Sequence, residues 1–557
     1  MRHSVTAARA AALALLSGLV PAVAPAAPGP RMPADRADPS LARHELGEAA
    51  PRAGADAPPV QLQPSESGAA VVAAGGVLVG AVQVEGASEI PPAAFAEAIQ
   101  TYLGRQLGPG ELRRLATDVA GVARRAGYGL ATAEVPRQVI QNGILKVVVD
   151  EGRVDAVEVD GSGAAAVRRI LARLVTGRPV RTADLERQLL LAGDVAGVST
   201  AGARIDRRDG RNILKVTARR DAVTARVGLD NWGSAAIGPV RARIDIDLNS
   251  VLTADDRVSI GGLLTPLDPR EFQFIRAAWS VPVNGRGTEL SVAGYYGHSK
   301  PGGSLKSRNL DGNSLEADFT LSHPLLRSRS ASLWGSVELA AIDSDLDEQG
   351  ARIRSDRIRT VTAGVNGVGR LGKGWLRGQV SVVQGVSALG ATAKGDPRAS
   401  RSDAGGVFTK TAFSAQYASP LGGRFSASLG MEGQLASRPL LSSEEMGLGG
   451  GAFLRGYDYW EVSGDEGVAG SAELRYDLGA LFRSLRRFQI YTYADAGTVS
   501  NLQSGLGGGS LASAGGGLRI TLRDGFEAGA ELGVPLKSSP FTPSPPPRFS
   551  FTLGYGF

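Results

Sequence analysis

The 557-residue sequence predicts a mainly β fold: a sixteen-stranded antiparallel transmembrane β-barrel, residues 221–557, preceded by two small α+β units. Three observations carry this expectation. From Val223 onward polar and apolar residues alternate, as where Arg241, Arg243, Asp245 and Asp247 oppose Ala242, Ile244, Ile246 and Leu248. Sixteen candidate strands lie between Val223 and Phe557, and a single antiparallel chain with both ends on one side of a membrane needs an even number. Upstream, an internal repeat marks two units, because VGAVQVEG from Val79 returns as VDAVEVDG from Val154.

Composition narrows the chemistry. Hydrophobic residues make up 43%, while 75 glycines and 30 prolines exceed what helical domains use and suit many strands and turns. The net charge is +6, but 61 basic residues are interspersed with 55 acidic ones without a basic cluster. The charge therefore reads as the lining of a polar cavity, and no nucleic-acid partner is expected. The chain has no cysteine, and His3, His44, His298 and His323 lack metal-ligand spacing. No G-x-S-x-G elbow occurs, and the glycine run at Gly505 lacks the Lys and Ser or Thr of a phosphate loop. No enzyme activity, cofactor or metal is expected.

In chain order, residues 1–26 read as a signal peptide: a basic start with Arg2 and Arg9, an apolar run from Ala10 to Val20, and Ala24 and Ala26 before the cleavage point. That run is shorter than the roughly twenty residues of a membrane anchor. No later segment reaches that length, so strands must make any span. Residues 27–75, rich in Ala, Pro, Gly and charge, read as a linker. Within it two readings of residues 40–50 stay open: a short helix capped by Ser40, or a plain tether, because Leu41 and Leu46 make a poor apolar stripe.

The first unit spans residues 76–152 and the second 153–220. Each reads strand, helix, helix, strand, strand. In the first, Phe95, Ile99 and Tyr102 mark one helix face, Leu112, Leu115, Val119 and Val122 another, Gly127 ends the second helix, and Val147, Val148 and Val149 form a buried strand.

For residues 221–557 alternation alone does not separate a soluble sandwich, whose apolar face meets a second sheet, from a barrel, whose apolar face meets lipid. Three features favour the barrel: the strand number, the contrast between short turns such as PVNGRGT and long loops at Lys300 to Asn313 and Gly390 to Ala404, and the last strand. There Phe549, Phe551, Leu553, Tyr555 and Phe557 share one face. Such a strand resembles the assembly signal of bacterial outer-membrane barrels, which implies Phe551, Leu553, Tyr555 and Phe557 as the residues read by the barrel-assembly machinery, with periplasmic chaperones escorting the chain.

The stretch GLGGGAFLRGY, from Gly447 to Tyr457, lies between two alternating runs, so its glycines place it in a connection and not in a strand. It carries one cation, Arg455, among Leu454, Gly456 and Tyr457. Some forty residues on, Tyr493, Asp495 and Gly497 follow one another at alternate positions, and Asp495 falls on the polar face of its strand. These two signatures resemble the VRGY loop motif and the F-x-D-x-G strand motif of the two-partner secretion transporters, the ShlB, FhaC and HecB type of haemolysin and filamentous-haemagglutinin secretion and activation proteins. Leu454 stands for the usual Val and Tyr493 for the usual Phe. The DNWG stretch at Asp230 to Gly233 resembles that family's first hairpin, and the paired units resemble its POTRA domains.

The resemblance implies an outer-membrane pore with its POTRA domains in the periplasm, passing a large partner exoprotein that carries an N-terminal secretion domain. It also places a helix at residues 40–50 inside the pore as a plug. The strand count puts the LRGY segment between strands eleven and twelve and Asp495 on strand thirteen, as that family expects, with Arg455 and Asp495 within reach of a loop-to-wall pair. A small-solute porin would share the barrel and a barrel-assembly insertase the modules.

Overall fold

The computed structural model describes residues 38–44, 60–62, 76–140, 142–235, 237–480, 483–503, 508–540 and 542–557. The signal-peptide reading, residues 45–50 and the start of the glycine run at 505–507 lie outside these.

Sixteen strands from Val223–Asp230 to Arg548–Gly556 pair antiparallel with their chain neighbours, and the last pairs with the first to close the barrel. Closure satisfies the backbone groups along both edges, which an open sheet in hydrocarbon would leave unpaired. The first hairpin shows how alternation sets the two faces. Arg226 opposes Asp245, Gly228 opposes Arg243 and Asp230 opposes Arg241 on one side, while Val227 opposite Ile244 lies on the other. Ile244, Val292, Phe319, Val365 and Leu474 are exposed, whereas Glu316, Lys410, Glu473 and Asp495 are buried. Exposed apolar and buried charged side chains invert the pattern of a soluble sandwich and suit a lipid-facing wall around a polar lumen. Strands six to eight, Leu310–Arg327, Ala331–Glu348 and Ala351–Leu371, are the longest. The loop expected to run to Asn313 ends at Asn309, because Leu310 already pairs with Glu348.

Each α+β unit has its own core. In the first, Leu112, Leu115 and Val119 of the helix Pro109–Arg125 share one core with Phe95, Leu107, Leu145 and Val147. Gly127, with φ +100°, ends that helix in the left-handed conformation that favours glycine. The strand Ile144–Asp150 alternates: Leu145, Val147 and Val149 are buried, and Val148 is half-buried on the other face. The three valines do not form one buried run, since the sheet is covered by helices on one side only. The second unit repeats the build with helices Ala164–Leu171 and Thr182–Gly193 over strands Ala156–Asp160, Val198–Arg208 and Arg211–Arg220. Val60–Leu62 adds a parallel strand to the Val198–Arg208 edge.

The second unit docks on short turns at one end of the barrel. Arg327 forks onto Asp194 at 2.6 and 2.8 Å, Arg329 pairs with Glu186 at 3.0 Å, and Arg169 pairs with Asp255. Pro39–His44 forms a 3-10 helix against the fourth to sixth barrel strands, Phe272–Pro282, Glu289–Ser299 and Leu310–Arg327. Leu41 is buried there, and Arg43 pairs with Glu316 at 3.1 Å and with Glu444 at 3.3 Å.

One carboxylate organises the first unit. Burial pushes the buried Glu151 up, but the Ser88 hydroxyl and the Ser88, Glu89 and Ile90 amides donate to it at 2.6 to 2.9 Å and hold it below the ordinary glutamate range. A lowered folded-state value means that this stabilisation is complete above the ordinary glutamate value and is lost as pH falls from there through the lowered one. Glu151→Gln is expected to cost about 1–3 kcal/mol, read as faster hydrogen exchange of residues 88–102 at neutral pH, with the gap between variant and parent closing on acidification.

Candidate functional site

The loop between the eleventh strand, Phe425–Ala436, and the twelfth, Glu466–Asp477, turns back into the lumen. Its stem is a two-stranded ladder in which Met446–Leu448 pairs with Val462–Gly464. Gly447 and Leu448 therefore lie in a short strand and only Gly449 onward in the tip, a difference from the sequence reading. The ladder forms because Met446, Leu448 and Val462 bury their side chains with Leu454, Tyr457, Ala469, Val499 and Leu511. Leu454 is fully buried and holds φ +61°, a left-handed conformation uncommon for leucine, which turns the next side chain toward the wall.

That side chain is Arg455. Its Nε and Nη2 donate to the two oxygens of Asp495 at 3.0 and 3.1 Å, and its own backbone amide reaches Asp495 Oδ2 at 3.2 Å. Nη1 donates to Glu473 at 2.9 Å and to Glu531 at 3.3 Å, and Nη2 to the Ser471 hydroxyl at 3.2 Å. The guanidinium lies on the Tyr493 ring, 3.4 Å from its centroid. Asp495 is on the thirteenth strand, Leu485–Ser500, directly opposite Ser471, and Tyr493 is opposite Glu473.

Around this centre the charges balance. Glu473 also accepts from Arg475 at 2.5 Å and Arg519 at 2.6 Å, and Glu531 accepts from the Tyr491 hydroxyl at 2.7 Å. Arg519 stacks on Tyr491, 3.8 Å from its centroid. Three guanidinium groups and three carboxylates thus share one network, the condition under which buried ions are tolerated.

Tyr457 anchors the far side of the tip. Its hydroxyl lies 2.8 Å from the carbonyls of Ala512 and Lys537 and accepts from the Lys537 amide at 3.1 Å. Glycines supply the room. A Cβ on Gly497 would meet Leu448 and Leu454 at 3.1 and 3.2 Å, and one on Gly456 would meet the Pro535 nitrogen at 2.9 Å. A cavity of about 440 Å³ opens beside Arg455 between Trp232, Tyr491, Arg519 and Glu531, so the loop does not fill this side of the lumen.

The structure thus brings together Leu454, Arg455, Gly456, Tyr457, Tyr493, Asp495 and Gly497. It places Phe551, Leu553 and Tyr555 apart from them, on the last strand, with Phe557 just past its end, and Leu553, Tyr555 and Phe557 are exposed. Sequence reading missed Ser471, Glu473, Arg519 and Glu531. Their signal was strand parity, since each falls on the lumen-facing alternation, but which of many lumen charges meet Arg455 depends on register.

Residues 210–520 match the family described as haemolysin secretion/activation protein ShlB/FhaC/HecB, and residues 77–152 match the POTRA domain of ShlB type. The heme/hemopexin transporter protein HuxB of Haemophilus influenzae (strain 86-028NP) is 24% identical over 424 residues, 74% of each chain. The outer membrane transporter CdiB of Dickeya dadantii is 22% identical over 67% of this chain and 68% of its own. Two solved structures share the fold: CdiB from Escherichia coli, with TM-score 0.70 and 20% identity over 86% of this chain and 91% of that one, and CdiB from Acinetobacter baumannii, with TM-score 0.62 and 18% identity over 92% and 95%.

Proposed function

Because the chain belongs to the haemolysin secretion/activation protein family of ShlB, FhaC and HecB, outer-membrane translocators of partner exoproteins with POTRA domains in the periplasm, we propose that its Arg455 network seats a loop that gates passage of one unfolded polypeptide to the surface. The observation that supports this is a loop with a buried guanidinium held on three strands of the barrel wall. A sixteen-stranded barrel is wide enough for an extended chain. The loop and the helix Pro39–His44, joined by Arg43 and Glu444, share the lumen, so cargo must displace both. Folding of the cargo outside supplies the bias.

The partner is a large exoprotein of haemolysin or adhesin type with an N-terminal secretion domain. Its extended segment adds to a free sheet edge of the POTRA units, where main-chain bonding gives affinity with little sequence demand. Ala81–Glu85 and Thr132–Glu134 are edge strands of the first unit and Ala156–Asp160 of the second. Outer-membrane lipid surrounds the apolar wall, and the barrel-assembly machinery and periplasmic chaperones act during biogenesis, reading the last strand. We assign the chain no catalysis, no cofactor or metal, and no nucleic-acid partner.

Protein reconstituted in liposomes is expected to translocate the N-terminal fragment of its cognate partner. Conduction of small solutes without translocation would replace this reading with a porin. Removing residues 153–220 is expected to abolish secretion while the barrel still inserts, and secretion at the parental level would refute the capture step.

A further inference from the structure

The DNWG stretch sits where the barrel closes. The first and last strands share five residue pairs, from Arg226 with Gly556 to Asp230 with Thr552, and Ala225 and Phe557 exchange both backbone hydrogen bonds at 2.9 and 3.0 Å just beyond them, whereas each strand shares eight pairs with its other neighbour. Beyond the last pair a side chain continues the ladder. Asn231 accepts from the Phe551 amide at 2.8 Å through Oδ1 and donates to the Phe549 carbonyl at 2.8 Å through Nδ2.

Arg548, the first residue of the last strand, then ties three segments together. Its Nη1 donates to the Tyr457 carbonyl and to Asp458 Oδ1, both at 3.0 Å, in the loop that carries Arg455. Its Nη2 donates to the carbonyls of Asn231 at 2.9 Å and Gly233 at 3.1 Å, in the first hairpin. The other Asp458 oxygen accepts from the Ala235 amide at 3.1 Å and the Ser234 hydroxyl at 3.3 Å. The Trp232 ring lies under the Arg548 guanidinium, 5.5 Å to its centroid, and against Gly451, where a Cβ would come within 3.1 Å of the indole. The loop, the first hairpin and the last strand therefore meet on one side chain.

We propose that Arg548 is a positioning residue that couples the seat of the Arg455 loop to the seam between the first and last strands, so that the seam's outer half stays paired only while the loop is seated. The short ladder makes this the place where the wall yields first. A guanidinium suits the junction because its fixed fork reaches two acceptors on each side, which a lysine nitrogen does not. The inference extends the pore reading to the wall itself, and its test needs no cargo, so its failure would leave that reading standing.

Hydrogen exchange of the purified protein in lipid nanodiscs reads the seam directly. Arg548→Gln is expected to raise exchange at residues 226–230 and 552–556 at least tenfold, with the sixth to eighth strands unchanged. Asp495→Asn, which weakens the seat from the far side of the loop, should also raise seam exchange in the parent but add nothing in the Arg548→Gln background. Gly228 and Gly554 oppose each other, each with room for a Cβ, in a chain without cysteine. A Gly228→Cys, Gly554→Cys disulfide should therefore restore seam protection to Arg548→Gln and, on reduction, lose it. If Arg548→Gln does not insert, Arg548→Lys gives the same readout with a smaller rise. Unchanged seam exchange in the Arg548 variant, or an Asp495→Asn effect that is absent or additive to it, overturns the proposal.

Discussion

Arg455→Ala is expected to reduce secretion of the partner more than a hundredfold while the barrel inserts and keeps its heat-modifiable mobility on gels. The substitution leaves Asp495, Glu473 and Glu531 without the cation they share. Breaking a buried ion pair from one side costs about 3–5 kcal/mol, and the loop can avoid part of that cost by leaving its seat, so the seated population falls by two to three powers of ten. Asp495→Ala is expected to impair secretion strongly but less, because Arg455 keeps Glu473, Glu531 and Ser471. The double variant should match Arg455→Ala, and simple addition of the two defects would mean that the residues act independently. Lysine at 455 should rescue poorly, since one ammonium cannot span Asp495 and Glu473 while lying on the Tyr493 ring.

Gly456→Val should block secretion to nearly the same extent by a steric route that leaves every charge in place. The new Cβ would stand 2.9 Å from the Pro535 nitrogen and 3.0 Å from Ser513 Cβ and the Val534 carbonyl carbon, mostly backbone of two wall strands with no flexible end to swing aside. The tip would have to lift, taking Arg455 with it. Gly470→Ala is the matched control, because its Cβ meets only the Gly430 carbonyl oxygen at 3.6 Å, an ordinary contact. Secretion assayed beside surface protection of the loop from protease separates the outcomes. A Gly456→Val protein that secretes like its parent would show that the tip does not need this seat.

The network itself was only half legible in the sequence. Arg455 and Asp495 announce themselves, one as a cation among glycines and the other by parity on a polar face, and the strand count puts them on the eleven-to-twelve loop and the thirteenth strand. Glu473 and Glu531 do not, because they approach Arg455 through the pairing of the twelfth strand with the thirteenth and through the closeness of the fifteenth. The same holds for Arg548, which is 90 residues from Asp458 and 317 from Asn231 and meets both only at the seam. Residues 40–50 show the limit from another side. Leu41 alone is a poor reason for a helix, and Pro39–His44 becomes one where the lumen offers Glu316 and Glu444 to Arg43 and a buried site to Leu41.

What the sequence by itself determined is whatever rests on local periodicity: two repeated α+β units, sixteen alternating strands, and the residues that face in or out along each, because side-chain direction in a strand depends only on position parity. What only the tertiary structure decided is whether the alternating face meets lipid or a second sheet, and which lumen charges become partners. Alternation is identical in both architectures, and closure of the sheet, with the register it imposes, is what buries Arg455 among three carboxylates contributed by three different strands.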